Sequence, residues 1–377
     1  MKVNKKKTCF VVSAPITAKA FLLKHFEYLS KEFDITLVAN FETQADFEIP
    51  FVTNTKHIAI HRSINPLKDF LALIQLYFFF KKESFQVVHS VTPKAGLLAM
   101  MAAWVSRIPI RIHIFTGQVW HTQVGLKKQF LKFLDRLLVV FTTHILVDGQ
   151  SQRQFLITNK IITDKNSKVL GKGSISGVDV QKFNPSSEIR NLYRAQLNFQ
   201  HNDIVFAFLG RMNTDKGILD LAKAFQKLHA DFPNVKLLLI GFDEEQMQEK
   251  IRQIQTENII YFGPTPKPQE VLQAADVFCL PSYREGFGTS VIEASLLELP
   301  IICSDTYGLA ETIIENKTGL RHEVKNVDQL YNQMKLLVQN EETRTVLGKN
   351  GRQYVLEHFS ADEISLQWLT FYKDILK

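Results

Sequence analysis

The segment PSYREGFGTSVIEASLLELPIICSD, residues 281–305, has the most informative pattern of the chain. It follows an apolar run over Val277–Leu280 that has the length and composition of a buried strand. After a polar turn, a helix is predicted to begin near Thr289, because the apolar residues that follow recur at helical spacing. Pro300 ends this helix before a second strand over Ile301–Cys303. Strand, helix and strand in this order predict a parallel β-α-β unit of an α/β protein.

The turn within this stretch has the composition of an anion site. Gly286 and Gly288 let the backbone come close to a ligand, and the helix behind them offers free N–H groups. Two carboxylates, Glu285 and Glu293, stand on either side of the helix start. Acids around an anion site suggest a ligand with phosphate and hydroxyl groups, such as a nucleotide sugar. Glycines are also common in such turns without any ligand, so this stretch alone leaves both interpretations open.

A known family carries the same residues at the same spacing. Glu285 and Glu293 are separated by seven residues, with Pro-Ser at 281–282 before them and Leu-Pro at 299–300 after them. This arrangement resembles the nucleotide-sugar signature of retaining GT-B glycosyltransferases of family 4. Within that family, the chain is similar to the bacterial enzymes of capsule, O-antigen and lipid-linked glycan assembly. The resemblance implies an α/β fold of two doubly wound, Rossmann-like domains that face each other across a cleft.

A second phosphate motif lies upstream, after a strand that is predicted over Ile204–Leu209. The segment GRMNTDKG, residues 210–217, places Arg211 and Lys216 beside the start of a helix. Arginine can bind two phosphate oxygens at once, and lysine adds a compact charge. The segment matches the Gly-Arg-x-x-x-x-Lys-Gly motif of the same family residue for residue.

The resemblance implies a role for each of these residues. Arg211 and Lys216 would neutralise charge on the leaving diphosphate, while Glu285 would hold sugar hydroxyls and stabilise positive charge at the anomeric carbon. Glu293 would bind the ribose hydroxyls. The expected catalytic set is therefore Glu285, Arg211 and Lys216. The expected donor-binding set consists of Glu293, Gly286, Phe287, Gly288, Thr289 and Gly241.

The acceptor side is predicted from the first half of the chain. The segment HSVTPKAG, residues 89–96, resembles a turn of lipid-linked-sugar glycosyltransferases that faces the acceptor. Thr92 and Lys94 would contact the acceptor there, with Lys94 next to its phosphate. A solvated lysine at a helix start is the alternative interpretation.

One position departs from the family pattern. Relatives commonly end the next strand with His-Gly, where this chain has Thr116-Gly117. These two residues complete the expected acceptor set. Either Thr116 serves with its hydroxyl, or His113 or His121 supplies an imidazole, and the sequence does not decide between them.

Length and charge divide the chain. A chain of 377 residues suits two domains. Residues 1–185 carry 25 Lys and Arg against 12 Asp and Glu, whereas residues 186–377 carry 20 against 26. This asymmetry predicts a basic first domain over 1–185 with an anionic partner. The family resemblance implies that the second domain, over 186–358, binds the nucleotide sugar. A final helix over 359–377 is implied by the resemblance to cross back onto the first domain.

Two segments of the basic half have the composition of membrane-surface helices. Residues 126–141 combine an apolar face with a flank of lysines and an arginine, the pattern of a helix lying on anionic lipid. Residues 66–82 are apolar around nearly the whole circumference, and a buried packing helix is favoured there over insertion into the interface. An anionic membrane surface is therefore the expected partner of this half, alongside the lipid-linked acceptor.

Other patterns limit the class of protein. Three cysteines, Cys9, Cys279 and Cys303, lie in apolar runs and are expected to be buried and reduced, as in the cytoplasm. No signal peptide or membrane span is predicted, so the expected location is the inner face of the cell membrane. No Asp-x-Asp motif occurs, so no metal or other cofactor is expected. No nucleic-acid-binding motif accompanies the basic charge, so nucleic acid is not an expected partner.

The sequence thus predicts a hexosyl- or N-acetylhexosaminyltransferase. It would move a sugar from a nucleoside diphosphate, with UDP expected, to a polyprenyl-diphosphate-linked saccharide, and the resemblance implies retention of configuration. Two rivals stay open, a nucleotide-sugar epimerase of the same fold and a catalytically silent scaffold of a glycan-assembly complex. The sequence names neither the sugar nor the linkage.

Overall fold

The fold is described by a computed structural model that covers residues 5–42, 48–61, 63–254 and 257–377. The chain forms two compact units. Unit 1 comprises Met1–Gly177 and Ala361–Lys377, and unit 2 comprises Val178–Ser360. The sequence places the first boundary after residue 185, whereas the backbone N–H of Val178 already bonds within unit 2, to the carbonyl of Phe359 at 2.8 Å.

Unit 1 alternates strands and helices along the chain. Its described strands are β1 (Lys6–Val11), β2 (Phe33–Ala39), β3 (Asn54–His57), β4 (Val87–Ser90), β5 (Ile110–Phe115), β6 (His144–Val147) and β7 (Ser167–Lys168). Its helices up to the boundary are α1 (Pro15–Phe21), α2 (Leu23–Leu29), α3 (Pro66–Glu83), α4 (Pro93–Val105), α5 (Gly125–Phe141) and α6 (Gln150–Thr158).

The strands of unit 1 pair in parallel in the order β3-β2-β1-β4-β5-β6-β7. The apolar residues of β1, β2 and β4 are buried, because helices cover a doubly wound sheet on both faces. The strand order reverses between β1 and β4. In sheets of this kind, ligands bind beyond the carboxyl ends of the strands at that point.

Unit 2 repeats this plan. Its helices are α7 (Ser187–Gln196), α8 (Ile218–Asp231), α9 (Met247–Arg252), α10 (Pro268–Val271), α11 (Thr289–Leu296), α12 (Val327–Gln339) and α13 (Glu341–His358). Its described strands are β8 (Ile204–Leu209), β9 (Val235–Ile240), β10 (Ile259–Gly263), β11 (Val277–Leu280), β12 (Ile301–Ser304) and β13 (Gly319–His322).

The strands of unit 2 are also parallel, in the order β10-β9-β8-β11-β12-β13, and the order reverses between β8 and β11. The predicted fold class, two doubly wound parallel α/β domains, is confirmed. The turns that contain the two phosphate motifs follow β8 and β11. The strand order therefore places both motifs at the carboxyl edge where a ligand is expected.

The last helix, α14 (Ala361–Ile375), packs on unit 1 against α2. Trp368 and Tyr372 are buried in a core that also contains Phe10 and Phe26. At the rim, Asp362 accepts a hydrogen bond from Tyr28 at 2.8 Å. The C-terminal segment is thus part of the core of unit 1.

Three local predictions are wrong. The residue pattern over 17–31, which follows the turn after the first strand, predicts one continuous helix, but the structure has two helices, α1 and α2, that are separated at Leu22. The pattern Gly-Leu-Ala-Glu at 308–311, after the strand Ile301–Cys303, predicts the start of another helix, but these residues form turns. The pair Gly319-Leu320 predicts a turn by its glycine, but it begins β13. A Cβ at Gly319 would lie 2.8 Å from the carbonyl oxygen of Ile301, so the glycine permits close strand pairing rather than a turn.

None of the described helices is long enough and apolar enough to cross a membrane. The three cysteines are buried and unpaired with one another, as predicted.

Candidate active site

Two turns of unit 2 meet at the carboxyl edge of its sheet. We call residues 210–217 the β8 turn and residues 281–288 the β11 turn. Lys216 of the β8 turn forms an ion pair with Oε1 of Glu285 in the β11 turn. The hydroxyl of Ser282 donates to the same oxygen at 2.7 Å. No hydrogen bond reaches the other oxygen, Oε2, from the residues that the structure describes, so it is available to a ligand.

Further contacts fasten the β8 turn to the β11 turn. Asp215 forms an ion pair with Arg284 at 2.7 Å, and its carbonyl accepts the backbone N–H of Tyr283 at 2.8 Å. The hydroxyl of Tyr283 donates to Asp220 at 2.7 Å. Gly217 adopts a φ of +66°, and a Cβ there would lie 2.1 Å from the carbonyl oxygen of Pro281. The glycine that ends the first motif is therefore required by close contact with the start of the second.

Arg211 is held by a residue that the sequence analysis did not identify. Its Nη1 donates to both carboxylate oxygens of Glu244, at 2.8 and 3.0 Å. The side-chain amide of Asn213 donates to the same carboxylate at 2.8 Å, while its Oδ1 accepts the backbone N–H of Lys216 at 3.1 Å. Glu244 follows the turn after β9 and belongs to no motif, so only its position in the folded sheet could reveal it.

Position 241 requires glycine for a structural reason, independently of any contact with the donor. Its φ is +135°, and a Cβ would lie 1.9 Å from the carbonyl oxygen of Gly210. The backbone N–H of Met212 donates to the carbonyl of Phe242 at 2.8 Å, so the turns after β8 and β9 run side by side. This close approach brings Glu244 beside Arg211.

The N-terminus of α11 carries no side-chain cap. Gly288 precedes the helix with a φ of +67°, and the helix begins at Thr289 as predicted. The N–H groups of this first turn are the expected anion donors. The side chain of Phe287 is buried and packs against Phe359 with a ring separation of 5.2 Å, so only its backbone remains for a donor.

Glu293 lies on the second turn of α11 and is half-buried. Burial raises the pKa of its carboxyl to about 7, and the charge of Lys182 opposes this rise. The raised pKa reflects a desolvated carboxyl. Hydrogen bonds from hydroxyl groups would stabilise a carboxyl in this environment, so the environment is compatible with the expected role toward ribose.

In unit 1, the turns after β1 and β4 also meet at the point of strand reversal. The hydroxyls of Ser13 and Thr92 lie 2.9 Å apart and form a hydrogen bond. Lys94 forms an ion pair with Asp69 of α3 at 2.5 Å and also donates to the carbonyl of Ser63. Its ammonium is therefore partnered by protein groups, and an acceptor phosphate would add to these contacts or replace them.

The three candidates for the missing histidine lie in different environments. His113 is buried on β5, where its Nδ1 lies 2.8 Å from the hydroxyl of Ser90, and burial lowers the pKa of its imidazole to about 3. This ring therefore lies in the interior of unit 1. His121 stacks edge-on against Phe155 at 5.0 Å. The carbonyl of Thr116 accepts the side-chain amide of Gln118 at 2.6 Å, which fixes the strand end.

No cluster of three or more His, Cys, Asp or Glu side chains in the described part of the chain has the arrangement of a metal site. Positive charge at the phosphate motifs is supplied by Arg211 and Lys216.

Comparison with known proteins extends the resemblance to both halves of the chain. Residues 189–354 match the family described as "Glycosyl transferases group 1", and residues 7–148 match "Glycosyl transferase 4-like". The capsular polysaccharide biosynthesis glycosyltransferase CapM of Staphylococcus aureus is 30% identical over 339 residues, which cover 89% of this chain and 87% of CapM.

A second relative is the UDP-Gal:alpha-D-GlcNAc-diphosphoundecaprenol alpha-1,3-galactosyltransferase of Escherichia coli. The two sequences are 26% identical over 351 residues, which cover 90% of this chain and 88% of the Escherichia coli protein. Among solved structures, HepE of Anabaena in complex with UDP matches with a TM-score of 0.80 at 15% identity, covering 98% of this chain and 100% of HepE. Because the sequence match to CapM spans nearly the whole chain and the fold is shared with HepE, this protein belongs to the group 1 glycosyltransferase family and is a glycosyltransferase of the GT-B type.

Proposed function

We propose that the protein transfers a sugar from a nucleoside diphosphate, with UDP expected, to a polyprenyl-diphosphate-linked saccharide, and that it retains the anomeric configuration. The main observation in support of a nucleotide-sugar donor is the ion pair between Lys216 and Glu285. It brings a cation for the leaving group and a carboxylate for the sugar to one point of the sheet edge. Lys216 belongs to the β8 turn and Glu285 to the β11 turn, so the two groups meet only in the folded unit.

The proposed mechanism uses the fixed charges of unit 2. Bond cleavage at the anomeric carbon develops negative charge on the departing diphosphate, and Arg211 and Lys216 neutralise it together with the N–H groups at the start of α11. Positive charge that develops on the sugar is stabilised by Glu285, whose Oε2 is not committed to a described partner. Glu293 accepts hydrogen bonds from the ribose. Lys216 and Glu285 are pre-positioned by the contacts between the β8 and β11 turns, and Arg211 is positioned by Glu244.

The relatives support the choice of substrates. The name of the Escherichia coli relative states a UDP-linked donor and a diphosphoundecaprenol-linked acceptor, and the HepE structure contains UDP. Two of the four acceptor candidates, Thr92 and Lys94, lie at the strand reversal of unit 1, the position where doubly wound sheets bind ligands. We further propose that transfer needs no metal ion, since Arg211 and Lys216 supply the required charge.

A thermal-shift screen tests the donor half. UDP, GDP, ADP and their common sugar conjugates are added to the full chain with and without EDTA. We expect one nucleotide class to raise the melting temperature, and EDTA to leave the shift unchanged. No shift with any nucleotide would favour the silent scaffold, and a shift that EDTA removes would refute metal independence. Release of free nucleoside diphosphate without acceptor, together with an epimerised sugar, would favour the epimerase.

We also propose that unit 1 docks on the inner face of the cell membrane. The outer side of α5 carries an apolar stripe at helical spacing, formed by Leu126, Phe130, Phe133 and Val140, whose exposed fractions are 90%, 50%, 55% and 71%. Lys127 lies exposed at the start of this helix. Exposed apolar side chains next to lysine match an anionic lipid surface.

Helix α3 differs from the favoured interpretation as a buried packing helix. One side packs on the core through Ala72, Leu76 and Phe80, but Phe70 and Phe78 remain exposed on the other. Helix α4 packs against both α3 and α5 and exposes Trp104 at its end. The proposed docking surface therefore includes residues of three helices rather than of α5 alone.

Replacing both Phe130 and Phe133 by serine is expected to weaken binding to phosphatidylglycerol vesicles by at least about tenfold, because two aromatic side chains no longer enter the lipid. Binding is measured by vesicle co-sedimentation. The matched control is Leu336→Ser on α12, since Leu336 is also exposed but lies in unit 2. Equal vesicle binding by the wild type, the double variant and Leu336→Ser would refute the docking proposal.

A further inference from the structure

Each cation of the phosphate site is already neutralised by a carboxylate from a neighbouring turn. Glu285 pairs with Lys216, and Glu244 pairs with Arg211. Glu285 has a role toward the sugar in the proposed function, but Glu244 has none. We propose that Glu244 is a displaceable counter-ion that occupies Arg211 until a diphosphate replaces it, and that it thereby weakens the binding of nucleoside diphosphates. This inference rests on the proposed donor site.

The two ion pairs differ in exposure. The side chains of Arg211 and Glu244 are 54% and 26% exposed, whereas those of Lys216 and Glu285 are 19% and 11% exposed. An ion pair in contact with water is weak, because solvent screens the attraction and holding two long side chains together costs entropy. The Arg211 pair is therefore the one that an arriving phosphate can exchange readily.

The geometry of the Arg211 pair also leaves room for a second anion. Both oxygens of Glu244 contact the same nitrogen, Nη1. A guanidinium presents five N–H donors in a planar fork. Among the described residues, Glu244 engages only one arm of this fork, so a phosphate can first bind to the other donors of Arg211. Displacement then proceeds without an intermediate in which Arg211 has no anionic partner.

Glu244 cannot move far from the site after displacement. Its backbone N–H donates to the carbonyl of Met212 at 3.1 Å, and its carboxylate keeps the amide of Asn213 at 2.8 Å. A negative charge thus stays close to the bound diphosphate and repels it. This repulsion lowers the affinity and favours release of the nucleotide product.

The variant Glu244→Gln removes this charge while keeping the shape of the side chain. Binding of UDP, GDP, ADP and inorganic pyrophosphate to the full-length wild type and variant is measured by isothermal titration calorimetry. We expect the nucleoside diphosphate that binds the wild type to bind the variant about two- to fivefold more tightly at low salt. The difference should vanish in about 1 M NaCl, where the Debye length is about 3 Å. A merely structural role would not produce this salt dependence.

The matched control is Glu245→Gln. Glu245 lies in the same turn, but its carboxylate accepts the hydroxyl of Thr214 at 2.6 Å and makes no described contact with Arg211. Weaker or unchanged binding by Glu244→Gln, or equal tightening by both variants, would overturn the counter-ion role and leave the donor site standing. Absence of any nucleoside diphosphate binding to the wild type would instead overturn the proposed function together with this inference.

Discussion

Replacing Lys216 by alanine is expected to lower kcat by about a hundredfold to a thousandfold, the range seen when one preorganised group that stabilises developing charge is removed. The loss has two sources. Lys216 no longer neutralises the leaving diphosphate, and Glu285 loses the partner that holds its Oε1. Turnover is measured as nucleoside diphosphate released from the donor chosen by the thermal screen, in the presence of polyprenyl-linked saccharides extracted from bacterial membranes.

Two further variants serve as a negative control and as a second test of the mechanism. Lys223→Ala removes an exposed lysine from α8 in the same unit and should leave turnover unchanged. Arg211→Ala should act in the same direction as Lys216→Ala, since both cations face the diphosphate in the proposed mechanism. Circular dichroism and melting temperatures verify that each protein is folded. Wild-type turnover by a folded Lys216→Ala protein would contradict the role of Lys216 and the mechanism derived from it.

Lowering the pH from 7 to 5 is expected to destabilise unit 1 by about 2 kcal/mol through His25 alone. This ring is stacked on Trp368 of α14, with centroids 4.0 Å apart. Its Nε2 donates to the carbonyl of Ile175 at 2.6 Å, so its Nδ1 accepts the hydroxyl of Ser365 at 3.0 Å. Burial lowers the pKa of the imidazole from 6.5 to about 4.

The direction follows from proton uptake. The unfolded chain binds a proton at His25 below about pH 6.5, whereas the folded protein resists it down to about pH 4. The free energy of unfolding is therefore highest above pH 6.5 and decreases as the pH falls through this window. His89 also stacks with Trp368, with ring centroids 4.7 Å apart. Burial holds the pKa of His89 well below its usual value. Its protonation therefore also lowers the free energy of unfolding as the pH falls.

Melting temperatures at pH 7 and 5 test this prediction. A change of 2 kcal/mol corresponds to a shift of about 4–8 °C for a unit of this size. His25→Gln should lose about 2 kcal/mol less than the wild type over the same pH interval, because glutamine does not titrate there. His57→Gln, at an exposed histidine of the same unit, serves as control. An unchanged pH dependence in His25→Gln would show that protonation of His25 is not a source of the lower stability at pH 5.

Much of the fold could be predicted from local patterns. The strands Val277–Leu280 and Ile204–Leu209 lie at the predicted residues, because a strand buried on both faces is a short apolar run bounded by turn residues. The helix after Gly288 begins where predicted, at Thr289. The errors at residues 308–311 and 319–320 have a different origin, since glycine permits turns and close strand pairing alike.

The fold class, the positions of the two phosphate motifs and the residue types within them could all be predicted before the structure was known. These depend on periodicity and on residues that are near one another in the chain. The contacts between distant residues could not be predicted in this way. Lys216 and Glu285, Arg211 and Glu244, and His25 and Trp368 are separated by many residues and come together through strand order and helix packing. Burial and charge partners, which set exposure and pKa, exist only after those contacts form.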